Sequence, residues 1–193
     1  MSPKAYYQAC FKEHEEVVSQ TQQMCEDDFY ILVQVCEAAL KAGNKLLFFG
    51  NGGSAADAQH IATEFTVRFI SDRAPMAAIA LTTDTSTLTA IGNDFGFNEL
   101  FARQIRALGK PGDVAIGITT SGNSQNVLLG LEAAESMGII PACLTGRDGG
   151  AVKDLANPCL IVPSDTTARI QEMHIMLGQM LCGILEQQLG LVS

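Results

Sequence analysis

The chain has 193 residues, of which 47% are hydrophobic and 17% are charged, and its formal net charge at pH 7 is −9. This length suits one large domain or two very small ones, and one domain is the simpler expectation. The composition is too apolar for a disordered chain, and no apolar run reaches the roughly 20 residues of a membrane helix. Only 12 Lys and Arg residues are present. We therefore expect no nucleic-acid or membrane partner, and any phosphate that the chain binds is small.

The cysteines and the first residues indicate the compartment. Six cysteines form no C-x-x-C pair and lie mostly inside apolar runs, which is typical of reduced core residues. The N-terminal "MSPKAYYQACFKEHEE" lacks the apolar stretch of a signal peptide. We therefore expect a cytoplasmic protein.

The apolar pattern changes its period near residue 42. Residues 4–42 carry apolar positions at helical spacing and end at "KAGNK", which predicts two N-terminal helices. Five short apolar runs follow, "KLLFFG", "MAAIALTT", "DVAIGITT", "IPACLTG" and "CLIVPS", most of them followed by a Gly, Ser or Thr turn and a helical segment. A last helix is predicted from about residue 167 to 188. This alternation predicts a three-layer α/β sandwich around a parallel sheet, and no linker divides the chain, so residues 1–193 are expected to form a single domain.

Two of the loops after predicted strands are rich in glycine and hydroxyl groups. They are "GNGGS" at 50–54 and "TTSGNS" at 119–124, and ligands of parallel sheets bind beyond the carboxyl ends of the strands. Helix N-termini expose unpaired N–H groups, to which neutral hydroxyl donors can be added around a phosphate. The candidates are Ser54, Thr119, Thr120, Ser121 and Ser124. The loops thus predict a sugar-phosphate site, although each Ser or Thr is equally explained as a helix N-cap.

The first loop also matches the dinucleotide pattern G-x-G-x-x-G/A through Gly50, Gly52 and Ala55. A nucleotide-binding loop of this kind is accompanied by an acidic residue about 20 positions further on. The chain has Arg73 and Ala74 there. A sugar phosphate is therefore favoured over a dinucleotide.

Polar side chains on two helices are candidates for the chemistry. His60 and Glu64 lie four residues apart after the first loop, so both can reach one ion, although such a pair is often a plain surface hydrogen bond. Gln171 and Gln179 interrupt the apolar last helix, where each is either functional or a satisfied core amide. His174, between them, is a ligand, a residue supporting a ligand, or a packing residue.

With these residues in place, the sequence resembles the sugar isomerase (SIS) domain family and, more closely, its phosphoheptose isomerases. The resemblance covers nearly the whole chain, through "GNGGSAADAQH", "FTVRF" at 65–69, "LTTDTSTLTAIGNDFGF" at 81–97, "QIRALGKPGDV", "TTSGNSQNV", "LTGRDGG" and "ARIQEMH". It implies a five-stranded parallel sheet, a homotetramer with active sites between subunits, and one zinc ion per subunit. Residues 1–42 are expected to take part in oligomerisation. It also implies conversion of sedoheptulose 7-phosphate to D-glycero-D-manno-heptose 7-phosphate, for bacterial surface polysaccharide.

The resemblance implies roles for particular positions. It implies that the catalytic residues are Glu64, as the base, and Gln179, and that the metal ligands are His60, Glu64, Gln171 and Gln179. It implies a set of residues that contact the sugar phosphate: Asn51, Gly52, Gly53, Ser54, Glu64, Asn93, Asp94, Thr119, Thr120, Ser121, Ser124 and Gln171. An aldose–ketose isomerisation does require a base that moves a proton between C1 and C2, and stabilisation of the enediol oxyanion.

Gln179 departs from the pattern of the phosphoheptose isomerases, which carry a histidine there as zinc ligand and proton shuttle. An amide oxygen can bind a metal, but an amide cannot relay a proton near neutral pH. Three explanations stay open: an enzyme that uses water or His174 as the acid, a variant that traps its substrate, or a non-enzymatic relative that binds the bacterial replication initiator. Glu64 and the intact first loop favour an isomerase.

Overall fold

The computed structural model describes residues 1–192 as an α/β fold with five parallel strands, as the sequence predicts. Its helices are α1 (Pro3–Met24), α2 (Glu26–Lys41), α3 (Gly53–Thr66), α4 (Thr85–Asp94), α5 (Leu100–Leu108), α6 (Gln125–Ser136) and α7 (Thr167–Gln188). Its strands are β1 (Leu46–Gly50), β2 (Ala78–Ala80), β3 (Val114–Thr119), β4 (Ile140–Gly146) and β5 (Cys159–Val162). Short 3₁₀ turns at Phe97–Glu99 and Gly150–Asp154 complete the chain.

The strand order β2-β1-β3-β4-β5 places β1 next to β3 at the centre of the sheet. From β1 the chain first runs outward to β2 and then returns to form β3 on the other side of β1. This reversal creates a crevice between the loops that follow β1 and β3, at the carboxyl edge of the sheet. Such a switch point is where open α/β sheets bind ligands.

Alternate residues of each strand enter two separate apolar cores. In β1, Leu46 and Phe48 join the core shared with α1, α2, α3 and α7, whereas Leu47 and Phe49 join the core shared with α4, α5 and α6. A strand buried on both faces has no need of polar alternation, which explains the continuous apolar runs. The three predicted layers are therefore confirmed.

The N-terminal helices end where the sequence pattern places them, at the turn after Lys41. Only the second predicted strand is much shorter than its apolar run, since β2 is an edge strand that pairs with β1 alone. The extent of the domain and the assignment of residues 1–42 to oligomerisation stay predictions. Within residues 1–192, no helix combines the length and the apolar character needed to cross a bilayer.

His174 is one of the few polar side chains inside the first core. Its ring is fully buried, and Nε2 donates a hydrogen bond of 3.0 Å to the carbonyl oxygen of Thr145 in β4. Burial lowers the pKa of His174 to about 4, and the bond to Thr145 only partly opposes this. The histidine is thus neutral and buried away from solvent. It is therefore unsuited to replace, as proton donor, the histidine that the phosphoheptose isomerases carry at position 179.

The pKa of His174 predicts a loss of stability in acid. Because its pKa is lower in the folded chain than the ordinary 6.5, the unfolded chain takes up the proton first. We expect the wild-type chain to lose roughly 3 kcal/mol of unfolding free energy through this group between pH 6.5 and 4. His174→Gln keeps a donor for Thr145 and should abolish this component in urea denaturation, whereas His14→Gln should not. Equal pH dependence in wild type and His174→Gln would contradict the assignment.

Candidate active site

The loop after β1 is shaped by close backbone packing. A side chain at Gly50 would lie 2.5 Å from the carbonyl oxygen of Ile118 and 2.9 Å from Cβ of Ser54, so only glycine fits. Gly52 has φ +55° and forms the N-cap of α3 without any side-chain capping bond. Ser54 is 3% exposed in the first turn of the helix. The loop therefore turns sharply and presents N–H groups of the first helical turn to which no capping side chain is bonded.

The loop after β3 lies beside it and carries the second set of hydroxyl groups. Thr119 Oγ1 lies 3.3 Å from Ser124 Oγ, and the Ser121 hydroxyl accepts a bond from the backbone N–H of Asn123. Ser124 is the N-cap of α6 but makes no side-chain bond to the helix. Its hydroxyl thus faces the loop rather than capping α6. Thr120 is half-buried next to Thr119.

A reciprocal amide pair joins the two loops. Asn51 and Asn126 each donate from Nδ2 to the other's Oδ1 at 2.8 Å. Asn126 is 2% exposed in the first turn of α6, and the sequence analysis did not select it. Its position two residues after Ser124, inside the segment "TTSGNSQNV", was the available signal. The pair fixes the spacing of the two loops across the switch point.

Helix α3 carries a polar stripe away from the first loop. Gly53, Asp57, His60 and Glu64 recur at intervals of four, three and four residues, so they share one face of the helix. His60 Nε2 lies 3.0 Å from Glu64 Oε1, with side chains that are 52% and 18% exposed. The predicted pair is thus in contact and open to solvent. Its hydrogen lies on His60, because a carboxylate can only accept.

Asp57 is the member of this stripe that sequence reasoning missed. It is three residues before His60 and seven before Glu64, and that spacing is the signal that could have identified it. Its Oδ2 is buried and, among residues 1–192, has no hydrogen-bond partner. Burial raises the pKa of the Asp57 carboxyl, and nearby His60 lowers it by a smaller amount. An unpaired carboxyl group with a raised pKa close to the candidate ligand His60 is typical of functional sites.

The two glutamines of α7 lie in different parts of the structure. The amide of Gln171 packs against Gly53, where an added Cβ would approach its Nε2 to 2.3 Å. Gln179 lies eight residues further on, about 12 Å along the helix axis. It lines an apolar groove between α2 and α7 with Phe29, Val33 and Phe69, a groove that neither His60 nor Glu64 lines.

This arrangement bears on the expected zinc ion. Imidazole and carboxylate groups are common zinc ligands, so the contacting His60 and Glu64 suit two coordination positions. Gln171 packs against Gly53 and Gln179 lines the groove between α2 and α7, so the two amides lie in different surroundings. Among residues 1–192 there is also no cluster of three His, Cys, Asp or Glu side chains that could hold a metal. Within one chain the contact between His60 and Glu64 thus provides two of the four expected ligands.

Asn93 and Asp94 end α4, on the opposite side of the sheet from α3. Asn93 Nδ2 donates to Asp94 Oδ1 at 2.8 Å, and both residues are exposed. Within residues 1–192 no side-chain hydrogen bond connects them to either loop. Their contact with substrate stays a prediction from resemblance.

The fold and the two loops at the switch point define an α/β protein of the sugar isomerase type. A family model for the SIS domain matches residues 9–146. The chain is 59% identical over 174 residues to a phosphoheptose isomerase of Paramagnetospirillum magneticum, covering 90% of this chain and 91% of the relative. It is 54% identical over 177 residues to that of Aquifex aeolicus, covering 92% and 93%.

Solved structures agree with the sequence relatives. The phosphoheptose isomerase of Neisseria gonorrhoeae superposes with a TM-score of 0.91 at 41% identity, covering 96% of this chain and all of the other. The enzyme of Francisella tularensis gives 0.93 at 36% identity, covering 97% and 100%. This chain therefore belongs to the phosphoheptose isomerases of the SIS-domain family, and it is an isomerase.

Asp57 gives a test of whether the polar stripe is kept for function at the expense of stability. Because burial raises its pKa, the carboxyl group destabilises the fold progressively as the pH rises above the ordinary value for Asp. We expect Asp57→Asn to raise Tm by roughly 1–3 °C at pH 7, with the gain vanishing in acid, and to lower kcat about tenfold or more. Asp154→Asn, at an exposed position, should change neither. A lower Tm with unchanged kcat would remove Asp57 from the site.

Proposed function

We propose that this chain interconverts sedoheptulose 7-phosphate and D-glycero-D-manno-heptose 7-phosphate. The observation that carries the proposal is the His60–Glu64 contact of 3.0 Å on the helix that begins at the first glycine-rich loop. One helix thus joins a phosphate-binding end to a carboxylate that can act as a base. The names of the relatives from P. magneticum and A. aeolicus support a heptose phosphate as substrate.

The phosphate group is bound by neutral donors. The uncapped first turn of α3 offers backbone N–H groups, and the loop 119–124 offers hydroxyl groups from Thr119, Ser121 and Ser124. Helix N-termini favour anions through their unpaired N–H groups and the helix dipole. This binding needs no cluster of Lys or Arg, which suits a chain with a net charge of −9.

The length of the substrate matches the length of the stripe. Gly53 and His60 are seven residues apart, about 10 Å along the helix axis, and the Glu64 carboxylate lies beside the His60 ring. With carbon–carbon bonds of about 1.5 Å, an open-chain seven-carbon sugar spans roughly 10 Å from C1 to its terminal phosphate. A substrate held at the loop therefore brings C1 and C2 to Glu64.

At that end Glu64 acts as the base. Its carboxylate takes the proton from one of the two carbons, and the resulting carboxylic acid returns it to the other. A hydroxyl proton passes from one of the two oxygens to the other through solvent, so that an aldose and a ketose interconvert through an enediol. The Nε2–H of His60 holds the carboxylate in position before the transfer. Asp57, three residues earlier on the same face, supplies a second carboxyl group near the substrate hydroxyls.

The same proposal extends to a second copy of the chain. Since only His60 and Glu64 among the four expected ligands are seen in contact within residues 1–192, we infer that a zinc site with these two residues is completed by residues of a neighbouring copy, in a homotetramer. Zinc, when bound, would polarise substrate oxygens as a Lewis acid. The exposed apolar side chains along the groove between α2 and α7, among them Tyr30, Met176 and Met180, support an interface there. We place the enzyme in the cytoplasm, supplying heptose for surface polysaccharide.

The first test of the reaction removes the base. Glu64→Gln keeps the size of the side chain and a hydrogen-bond acceptor for His60 but cannot take a proton, so kcat on sedoheptulose 7-phosphate should fall about 10²–10⁴-fold. Glu16→Gln, an exposed position on α1, is the matched control and should keep full activity. Unchanged turnover in Glu64→Gln would exclude Glu64 as the base. A wild-type chain that binds the replication initiator stoichiometrically without any turnover would overturn the isomerase proposal.

The second test concerns Gln179. Gln179→His introduces a group that can hold a proton near neutral pH and bind zinc more strongly than an amide, so kcat should be maintained or raised. Zinc retained after chelation, measured by elemental analysis of the protein, should increase. Gln187→His places an imidazole in the same groove and should change neither quantity. A large loss of activity in Gln179→His would show that the site depends on the amide.

A further inference from the structure

Arg73 is a fully buried arginine in the segment between α3 and β2, and the proposed mechanism does not use it. Its side chain is 0% exposed, and its guanidinium makes several hydrogen bonds. Nη2 donates to the carbonyl oxygen of Glu64 at 2.7 Å, and Nη1 donates to that of Phe65, also at 2.7 Å. Nε donates to the carboxylate of Glu186 on α7 at 2.8 Å.

These bonds fall on the end of α3 that carries the proposed base. The last four carbonyl groups of a helix have no partner within the helix, and those of Glu64 and Phe65 are two of them. Arg73 binds both from one planar group. The backbone of Glu64 is thereby bound to a rigid, buried guanidinium group. This bond fixes the point from which the Glu64 side chain extends toward His60.

Glu186 holds the arginine in turn. Its side chain is 4% exposed, and besides Arg73 it accepts a bond of 3.3 Å from the backbone N–H of Phe69. The two residues therefore tie the end of α3 and the chain that follows it to the C-terminal half of α7. A buried ion pair is often no more stabilising than apolar residues of the same volume, so stability alone gives a weak reason for it.

We propose that Arg73, held by Glu186, is a positioning residue for Glu64. The Arg73–Glu186 pair fixes the last turn of α3, so that the Glu64 carboxylate keeps its direction when the substrate changes from aldose to ketose. Its effect is exerted through the backbone of Glu64 and not by contact with substrate. The inference rests on the proposed role of Glu64 as the base.

Lysine cannot replace arginine in this role. A lysine keeps the charge but has one nitrogen, whereas the guanidinium reaches a carboxylate and two separate carbonyl groups in fixed directions. We expect Arg73→Lys to lower kcat on sedoheptulose 7-phosphate at least tenfold while KM changes by less than about threefold, because the phosphate loops lie at the other end of α3. Glu186→Gln, which keeps Arg73 but removes its counter-charge, should lower kcat to a smaller extent.

The chain contains a matched control. Asp113 is 1% exposed at the start of β3, where it accepts bonds from the Lys45 ammonium and from the backbone N–H groups of Lys45 and Lys110. This buried ion pair lies at the amino edge of the sheet, opposite the site. Asp113→Asn should lower Tm as Glu186→Gln does, yet leave kcat within twofold of wild type.

A second measurement does not depend on turnover. In hydrogen-exchange mass spectrometry, peptides covering residues 62–72 should exchange faster in Arg73→Lys and Glu186→Gln than in wild type, and at the wild-type rate in Asp113→Asn. If exchange there is unchanged, or if kcat falls no more than in Asp113→Asn, the positioning role is wrong. A wild-type chain that does not convert sedoheptulose 7-phosphate overturns the proposed function, while the exchange rates still decide whether the pair holds this turn.

Discussion

The pairing of β1 with β3 is the constraint on which the site depends. These strands are distant in the chain, and their parallel register from Leu46 with Val114 to Gly50 with Ile118 brings two glycine- and hydroxyl-rich loops to one edge of the sheet. The reciprocal bonds between Asn51 and Asn126 then hold the loops at a set distance. Without this pairing each loop is an ordinary strand-to-helix turn, and the proposed phosphate cradle does not form.

Helix α3 extends from that edge of the sheet to the candidate base, Glu64. Its N-terminus is left without a side-chain cap, which leaves N–H groups free for an anion, and its last turn carries Glu64. Because helical geometry sets the rise per residue, the distance between the two ends cannot vary. Both ends are secured by the rest of the fold, the first by the tight packing of Gly50 and the second by Arg73 and Glu186.

The local features were accessible from the sequence because their patterns are short. Apolar runs buried on both faces indicated the strands, and the spacing of four residues brought His60 and Glu64 into the contact that the structure shows. Asp57 shares that helix face and could have been found in the same way. The sequence left His174 open as a proton donor, whereas the structure buries its ring against strand β4. That strand lies about 30 residues earlier, so the sequence around His174 gave no sign of the burial.

Residues that act across the fold leave no comparable pattern. Asn51 and Asn126 are 75 positions apart, and Arg73 and Glu186 are 113 apart, so no periodicity connects them. Sequence by itself determined the class of fold, the loops and the helix face that bears the candidate base, because each depends on neighbours within about a dozen residues. Only the tertiary structure decided how the loops are spaced, that Asp57 has a buried oxygen without a partner, and what holds the end of α3 that carries the candidate base. Those properties arise from contacts between distant segments, and their energies exist only after the chain has folded.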